Sequence, residues 1–365
     1  MDRCVNRACC LVLAWSLTAA TCLSQSIGPN IGQNSELNAP PQERSVFVGQ
    51  PIDGDVSRVL SMLEGSWRTP AAQGESGQAT WMHMLPFESD LLGRAIYVEV
   101  HADGTPWLPI QQMIFRVYRF GDELRLRTYE FRDPARPEVL ANLWLAPDHI
   151  PLDTVRADEL IPTMDLVLER VRNGYAGQTR VAYPTGEYGS VERRAELSIR
   201  PDALVSVETS YGVDGRPIER PSGDERRWTR AQIPASVTVG ADGLVVIELE
   251  SGETDGPPTD EGDILFINYE AWRTDGFKFD GTLEGGLALR TVYPPRVVGG
   301  FRRGMEPMVE GMRRKLVVPP ELGFGQAAMQ GVPAGSTLVF HIHILKIEQS
   351  DAMPMEDRVK RLEQP

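Results

Sequence analysis

The chain has 365 residues, of which 41% are hydrophobic and 24% are charged, a balance that is ordinary for globular protein. This length predicts two domains with flexible ends. The net charge of −14 argues against nucleic acid and anionic membranes as main partners, because both repel an acidic protein. The sequence contains no internal repeat, GxGxxG fingerprint, Walker loop or CxxC pair, so the common nucleotide and redox motifs do not guide the interpretation.

Residues 1–24 have the pattern of an export signal. Arg3 and Arg7 precede an uncharged apolar run at 8–23, which is shorter than the roughly 20 residues that a spanning helix needs. Small residues follow around position 24, so we predict cleavage and an exported protein, periplasmic or extracellular. An uncleaved membrane anchor is the alternative.

All four cysteines, Cys4, Cys9, Cys10 and Cys22, lie within this signal. The mature chain is therefore expected to have no disulfide framework and to depend on core packing. Lipid anchoring at Cys22 is an alternative that the preceding residues fit poorly, because alanine stands at position 19 where lipoprotein signals usually have leucine.

The amino-terminal half is predicted to be a β-barrel at residues 53–230, after a disordered tether at 25–52 that is rich in Ser, Asn, Gln, Gly and Pro. Asp55 is expected to cap a short helix whose buried face is Val56, Val59, Leu60 and Leu63, ending at Gly65. Short runs of β-branched and aromatic residues follow at 81–84, 95–100, 112–118, 124–129 and 166–171. Turn signals at 102–104, 121–122 and 213–215 separate strands, a spacing that indicates an antiparallel barrel or sandwich.

The carboxy-terminal half, residues 236–348, follows a joint at about 231–237 and precedes a charged tail at 349–365. Apolar residues alternate with period two at Leu265, Ile267 and Tyr269, and again at Leu316 and Val318. The stretch 298–305 is predicted to be a short helix. A further strand places Phe340, Ile342 and Ile344 on one face. His341 and His343 lie on the other, which we interpret as a solvated face because no further metal ligands are apparent.

Four segments of this half resemble an FKBP-type peptidyl-prolyl cis-trans isomerase: GDILFINY at 262–269, DGFKFD at 275–280, VVPPELGFG at 317–325 and PAGSTLVF at 333–340. The resemblance implies an α+β domain in which a twisted antiparallel sheet of about five strands wraps around a short helix. It also implies an enzyme that acts on proline-containing polypeptides, with no cofactor and no metal.

The resemblance implies a role for each matching residue. The pocket walls would be Tyr269, Phe279, Val297, Val298, Phe301 and Phe340. Phe301 would form the floor, and Asp280 would supply the pocket carboxylate. The Val298 N–H would donate to the substrate carbonyl. Phe324 occupies a position that usually holds tyrosine, and Val332 matches an apolar flap residue.

Three departures from the family pattern bear on activity. Phe301 replaces tryptophan, Phe324 lacks a hydroxyl, and Leu287 replaces an aromatic side wall. We therefore expect reduced rather than abolished isomerase activity. The alternative is a non-catalytic module that binds prolyl peptides as a chaperone.

The amino-terminal half resembles the CpcT/CpeT-type phycobiliprotein lyases, which are calyx-shaped antiparallel β-barrels. The matching pieces are LEGSW at 63–67, YVE at 97–99, PIQQ at 109–112, Pro162, Asp165, GQT at 177–179 and RW at 227–228. Gln111 and Met113 replace arginines of that family, and Met164 replaces cysteine. We therefore expect a barrel that binds a small apolar ligand or a partner, without bilin transfer. Tyr97 and Glu99 would be pocket residues or, as we favour, ordinary barrel packing.

Overall fold

The computed structural model describes residues 53–70, 79–103, 109–149, 151–184, 190–218, 225–232, 236–253, 256–282, 286–329 and 331–350. The predicted signal, Cys22, the tether up to residue 52 and the tail beyond residue 350 lie outside these ranges. Within these ranges no helix is long and apolar enough to cross a membrane.

Ten antiparallel strands of the amino-terminal half close into a barrel. They are β1 (Gly65–Arg68), β2 (Thr80–Ser89), β3 (Gly93–Ala102), β4 (Pro109–Phe120), β5 (Glu123–Phe131), β6 (Leu160–Val171), β7 (Gly174–Thr179), β9 (Glu192–Ile199), β10 (Ala203–Tyr211) and β12 (Glu225–Arg230). Short strands β8 (Tyr183–Pro184) and β11 (Pro217–Ile218) pair at its margins. Closure comes from the pairing of β9 with β10 and of β12 with β1. The barrel prediction is confirmed, and each of the five predicted strand segments lies within a longer strand.

Helix α1 (Gly54–Leu63) packs its apolar face against the barrel core, with Val59 and Leu63 fully buried. The predicted cap is wrong by two residues. Asp53 has an extended backbone, and its carboxylate accepts hydrogen bonds from the N–H of Asp55 at 2.7 Å and of Val56 at 3.2 Å. Asp55 lies instead in the first turn, where a negative charge complements the helix dipole.

The carboxy-terminal half forms a second antiparallel sheet of seven strands. They are β13 (Ser236–Val239), β14 (Val245–Glu250), β15 (Ile264–Arg273), β16 (Lys278–Gly281), β17 (Leu289–Val292), β18 (Arg313–Val318) and β19 (Leu338–Glu348). The order is β13-β14-β18-β19-β15-β16, and β17 also pairs with β15. The expected α+β architecture is confirmed, although short strands bring the number above the five that we expected.

Helix α3 (Gly299–Gly304) lies against the inner face of this sheet, where we predicted a short helix. A Cβ atom at Gly300 would meet Val318 Cγ1 at 2.3 Å, and one at Gly304 would meet Leu316 Cδ1 at 2.3 Å. The two glycines therefore allow helix and sheet to approach closely. This contact buries Phe301 and Met305 in the core.

A bridging segment (residues 132–149 and 151–159) connects β5 to β6 and lies between the two halves of the chain. It contains α2 (Ala135–Leu140) and several short 3-10 helices. Leu140 packs in a cluster on the barrel's outer surface. Leu143 and Ala146 pack against Val245 and Val317 of the second sheet. The segment thus joins the two halves through two apolar contacts.

A buried lysine adds polar contacts to this junction. Lys315 of β18 is 0% exposed. Its ammonium donates to the carbonyl oxygens of Val139 at 2.7 Å and Glu138 at 3.1 Å, and to that of Ala141. These carbonyls lie at the carboxyl end of α2, where a cation is favoured. Burial lowers the pKa of Lys315, while the nearby Glu99 carboxylate opposes this shift.

The structure corrects the expectation for Tyr97 and Glu99. Their neighbours Val98 and Val100 point into the barrel, so Tyr97 and Glu99 face outwards, beneath the bridging segment. The Glu99 carboxylate accepts hydrogen bonds from Tyr97 Oη at 2.8 Å, Asn142 N at 2.9 Å and Trp144 Nε1 at 3.0 Å. Burial raises the pKa of Glu99. Neither residue lines the barrel cavity or fills the barrel core.

The solvated face expected for His341 and His343 is observed only in part, because both side chains are half-buried. The imidazole of His341 lies edge-on to Trp272, with ring centroids 4.9 Å apart. Trp272 itself packs against Val139 of α2. Burial lowers the pKa of His341 well below its usual value. The difference from the prediction arises because the bridging segment packs against this face of the second sheet, which the sequence pattern alone assigns to solvent.

Candidate active site

Aromatic side chains from separate parts of the second half meet between α3 and the sheet. The aromatic cluster comprises Tyr269 of β15, Phe279 of β16, Phe301 of α3, Phe340 of β19 and Phe324, which follows a 3-10 turn. The ring centroids of Phe301 and Phe340 lie 5.1 Å apart, and those of Phe279 and Phe340 lie 6.2 Å apart. The pairs meet edge to face, an arrangement that aromatic quadrupoles favour. These five aromatic residues, which come from separate segments of the chain, therefore form one apolar wall.

Exposure across this wall increases from its base to its rim. Phe301 and Phe340 are 2% and 4% exposed, and Val332 is 2% exposed. Tyr269, Phe279, Val298 and Phe324 are partly buried, while Val297 is 38% exposed. Phe301 therefore lies at the base of the wall, while Val298 is half-buried and Val297 lies at the exposed edge.

Asp280 lies exposed at this rim. The pairing of β16 with β15 shifts register between Ala271 and Trp272, next to the position that faces Asp280. The Asp280 carboxylate accepts hydrogen bonds from Tyr269 Oη at 2.7 Å and Gly281 N at 2.9 Å. Burial, together with this carboxylate, raises the pKa of Tyr269 above its usual value. Tyr269 is therefore a protonated donor that fixes the carboxylate beside the apolar wall.

Val298 stands at the amino-terminal cap of α3. Its carbonyl accepts a hydrogen bond from Arg302 N at 3.2 Å. Among the residues that the structure describes, none accepts a hydrogen bond from the Val298 N–H. The donor that the resemblance implies is therefore available at the rim.

The flap (residues 325–329 and 331–337) carries Val332 into the core that supports the aromatic cluster. Met329 and Val332 exchange two backbone hydrogen bonds, each 2.9 Å long. Arg273 of β15 donates through Nη1 to Gly331 O at 2.9 Å. Our sequence analysis missed Arg273, because a strand-end arginine that binds a backbone carbonyl has no sequence signature.

Leu287 does not join the aromatic cluster. Its side chain is 82% exposed, so it forms no side wall in this structure. The expected replacement of an aromatic wall by Leu287 is therefore not observed.

Two cavities lie outside the apolar wall, although Tyr269 of the aromatic cluster also contributes to the lining of the second one. One of about 50 Å³ lies inside the barrel, and its lining includes Gln111, Met113 and Met164. The other, of about 330 Å³, lies on the outer face of the second sheet beside His341 and His343. In the described ranges, no three His, Cys, Asp or Glu side chains are grouped so that they could hold a metal ion.

The model of the family described as FKBP-type peptidyl-prolyl cis-trans isomerase matches residues 256–345. The isomerase FkpA of Escherichia coli K12 is 33% identical over 124 residues, which cover 33% of this chain and 45% of FkpA. FKBP2 of Mus musculus is 38% identical over 91 residues, which cover 24% of this chain and 65% of FKBP2. The chain thus spans less than two thirds of the length of either relative.

An FK506-binding protein of Neisseria meningitidis serogroup B is 34% identical over 107 residues, which cover 29% of this chain and 96% of that protein. Almost the whole of this relative therefore corresponds to the second half of the chain, where the aromatic cluster lies. Through this half, the chain belongs to the FKBP-type peptidyl-prolyl cis-trans isomerase family.

Proposed function

We propose that residues 236–348 catalyse cis–trans isomerisation of X–Pro bonds and assist the folding of exported proteins. Rotation about a peptide bond faces a barrier of about 18–20 kcal/mol. For X–Pro the isomers differ by only about 0.5–1 kcal/mol, yet exchange takes tens of seconds or longer and can limit folding. A site that favours the twisted amide needs no nucleophile, metal or general base.

The observation that carries this proposal is the aromatic cluster with Asp280 fixed at its rim by Tyr269. An apolar wall can hold the proline ring and exclude water. This favours the twisted amide, because rotation breaks conjugation and reduces charge separation. The Val298 N–H would orient the substrate carbonyl, and Asp280 would face the distorted carbonyl. Phe324 offers no hydroxyl, so we expect a slower enzyme than one with tyrosine there.

The test is the isomerisation rate of a proline tetrapeptide, measured with the full chain in a protease-coupled assay. Asp280→Ala should lower kcat/KM about tenfold, the equivalent of about 1.4 kcal/mol. Glu348→Ala is the control, since Glu348 pairs with Lys346 at the far end of β19. Absence of acceleration by the wild-type chain would refute the proposal. An unchanged rate in Asp280→Ala would remove that carboxylate from the mechanism.

A second candidate is a chaperone that binds prolyl segments without turning them over. Phe324 favours it, because the missing hydroxyl removes a donor that would hold the rotating substrate. Titration of a proline peptide would then show binding, while NMR exchange spectroscopy would show no increase in the isomerisation rate.

For the barrel we propose binding of a small apolar ligand. Gln111, Met113 and Met164 occupy the positions that the lyase resemblance assigns to the ligand, and they line the internal cavity. A volume of about 50 Å³ admits only a few atoms unless the flexible methionines move. Bilin transfer is not proposed, because all four cysteines precede residue 25. Native mass spectrometry of the purified chain would show a retained ligand or none.

We also propose export, from the pattern of residues 1–24 alone. The measurement is the amino-terminal sequence of the protein recovered from outside the cytoplasm. A mature start near residue 25 supports signal cleavage, a lipid on Cys22 supports lipid anchoring, and an intact Met1 supports the uncleaved membrane anchor. Absence of the protein from outside the cytoplasm contradicts export.

A further inference from the structure

Arg136 of the bridging segment reaches across to the second half. Its side chain is 2% exposed and lies 3.2 Å from the Glu159 carboxylate. The guanidinium also donates to Thr154 Oγ1 at 2.6 Å and to Pro151 O at 3.3 Å. A further donor reaches the carbonyl oxygen of Thr274. A planar guanidinium with several donors can make these contacts at once, which a lysine could not do.

Thr274 lies in the turn between β15 and β16. The contact of this turn with Arg136 continues along the backbone of the turn. Gly276 in the same turn has φ +90°, and a Cβ there would lie 3.4 Å from the backbone N and Cα of Arg136. The turn therefore rests directly against the start of α2. Its position depends on the bridging segment as well as on the sheet.

The same turn holds the flap. Arg273 Nη1 donates to Gly331 O at 2.9 Å, and its Nε lies 3.0 Å from an Asp275 oxygen. The guanidinium carbon of Arg273 lies 4.8 Å from the centre of the Phe277 ring. That ring approaches Gly331 so closely that a Cβ there would lie 2.8 Å from a ring carbon. The turn thus fixes the flap next to Val332.

We propose that Arg136 is a positioning residue for the site formed by the aromatic cluster. Arg136 holds the β15–β16 turn, and Arg273 next to that turn holds the flap. This inference rests on the proposed isomerase function. Asp280 and Phe279 follow the turn on β16, while Val332 follows Gly331 in the flap. One guanidinium of the amino-terminal half therefore holds a turn that leads into one side of the site and contacts the flap on the other side.

The junction between the two halves is suited to such a role. The buried Lys315 contacts and the packing of Leu143 and Ala146 on the second sheet fix the bridging segment independently of Arg136. Loss of the Arg136 side chain should therefore loosen the turn while the two halves remain docked.

The test compares Arg136→Ala with wild type in the full chain. Amide hydrogen exchange of a peptide that covers the flap should increase about threefold or more, while peptides from β18 keep their wild-type exchange. In the proline-peptide assay, KM should rise about three- to tenfold, which is the effect of losing the one hydrogen bond by which Arg136 holds Thr274 of the turn. We expect kcat to stay within about twofold, because the contact of Asp280 with Tyr269 remains. Arg132→Ala is the matched control, since exposed Arg132 lies in the same segment and donates to Asp158 O at 2.9 Å.

A second variant breaks the same route at its other end. Arg273→Ala removes the contact with Gly331, and its side chain is 24% exposed, so folding should tolerate the change. If the route exists, the double variant should raise KM no more than Arg273→Ala alone. Additive effects would overturn the proposal, and so would wild-type flap exchange in Arg136→Ala.

Failure of the proposed function gives a different result. If the wild-type chain shows no isomerase activity, the proposed function fails, and hydrogen exchange of the flap still decides the role of Arg136. If Arg136→Ala does not fold, the exchange of the flap in Arg273→Ala decides. Wild-type protection in that variant overturns the proposal, and increased exchange supports it.

Discussion

Replacing Lys315 with methionine should weaken the contact between the two halves of the chain. Methionine retains much of the apolar stem but leaves the carbonyl oxygens of Glu138, Val139 and Ala141 without their buried donor. An unsatisfied buried group costs about 1–3 kcal/mol, so three carbonyls give about 3–9 kcal/mol before relaxation. The substitution also removes the desolvation cost of the ammonium, which is several kcal/mol for a buried ion. We therefore expect a net loss of about 2–4 kcal/mol in the free energy of unfolding.

The assay is urea unfolding of the full chain, followed by fluorescence and by circular dichroism. We expect the two signals to coincide in wild type and to separate in Lys315→Met, as the halves cease to unfold together. Lys346→Met is the control, because the side chain of Lys346 is 56% exposed and its ion pair with Glu348 lies at the surface. A Lys315→Met midpoint and slope equal to those of wild type would refute the reasoning.

Three further predictions concern packing, acid stability and the site. Gly300→Ala should destabilise the chain by about 1–3 kcal/mol in thermal or urea unfolding, since its Cβ would overlap Val318. Gly299→Ala, whose Cβ finds its nearest atom at 3.7 Å, should be nearly neutral, and equal effects would contradict the account. Burial lowers the pKa of His83 from 6.5 to about 2. The stability that the neutral His83 contributes is therefore fully present above pH 6.5. Below pH 6.5 the free energy of unfolding falls by about 1.4 kcal/mol per pH unit. His83→Gln should flatten the acid limb of the stability profile, and an unchanged limb would exclude this histidine as a cause. Tyr269→Phe removes the donor to the pocket carboxylate and should lower kcat/KM by about tenfold at most, measured by exchange NMR. A wild-type rate would show that this hydrogen bond does not serve catalysis.

Much of the architecture follows from period and turn chemistry. Alternation at Leu265, Ile267 and Leu316 predicted which strand faces are buried, and these residues are 0% exposed. The resemblance to the isomerase family also assigned Phe301 and Phe340 to the pocket, and both lie in the aromatic cluster. These features are local, so they do not depend on how the two halves meet.

The junction could not be predicted, because it depends on side chains far apart in sequence. Tyr97 and Glu99 have the alternation of any barrel strand, and only the bridging segment makes their outward face a buried one. His341 likewise lies on the polar face of a strand with alternating residues, and such a face usually contacts water. Nothing in the sequence marks Lys315 as buried. A buried lysine needs partners, and the partners of Lys315 are backbone carbonyls, which every residue carries.

The pairing of β1 with β12 has an architectural consequence. Trp67 lies opposite Arg230, so the chain enters and leaves the barrel on adjacent strands. A module whose two ends are neighbours can be inserted, removed or circularly permuted without rearranging its interior. The barrel therefore occupies a single insertion point in the chain, even though its bridging segment also packs against the second half.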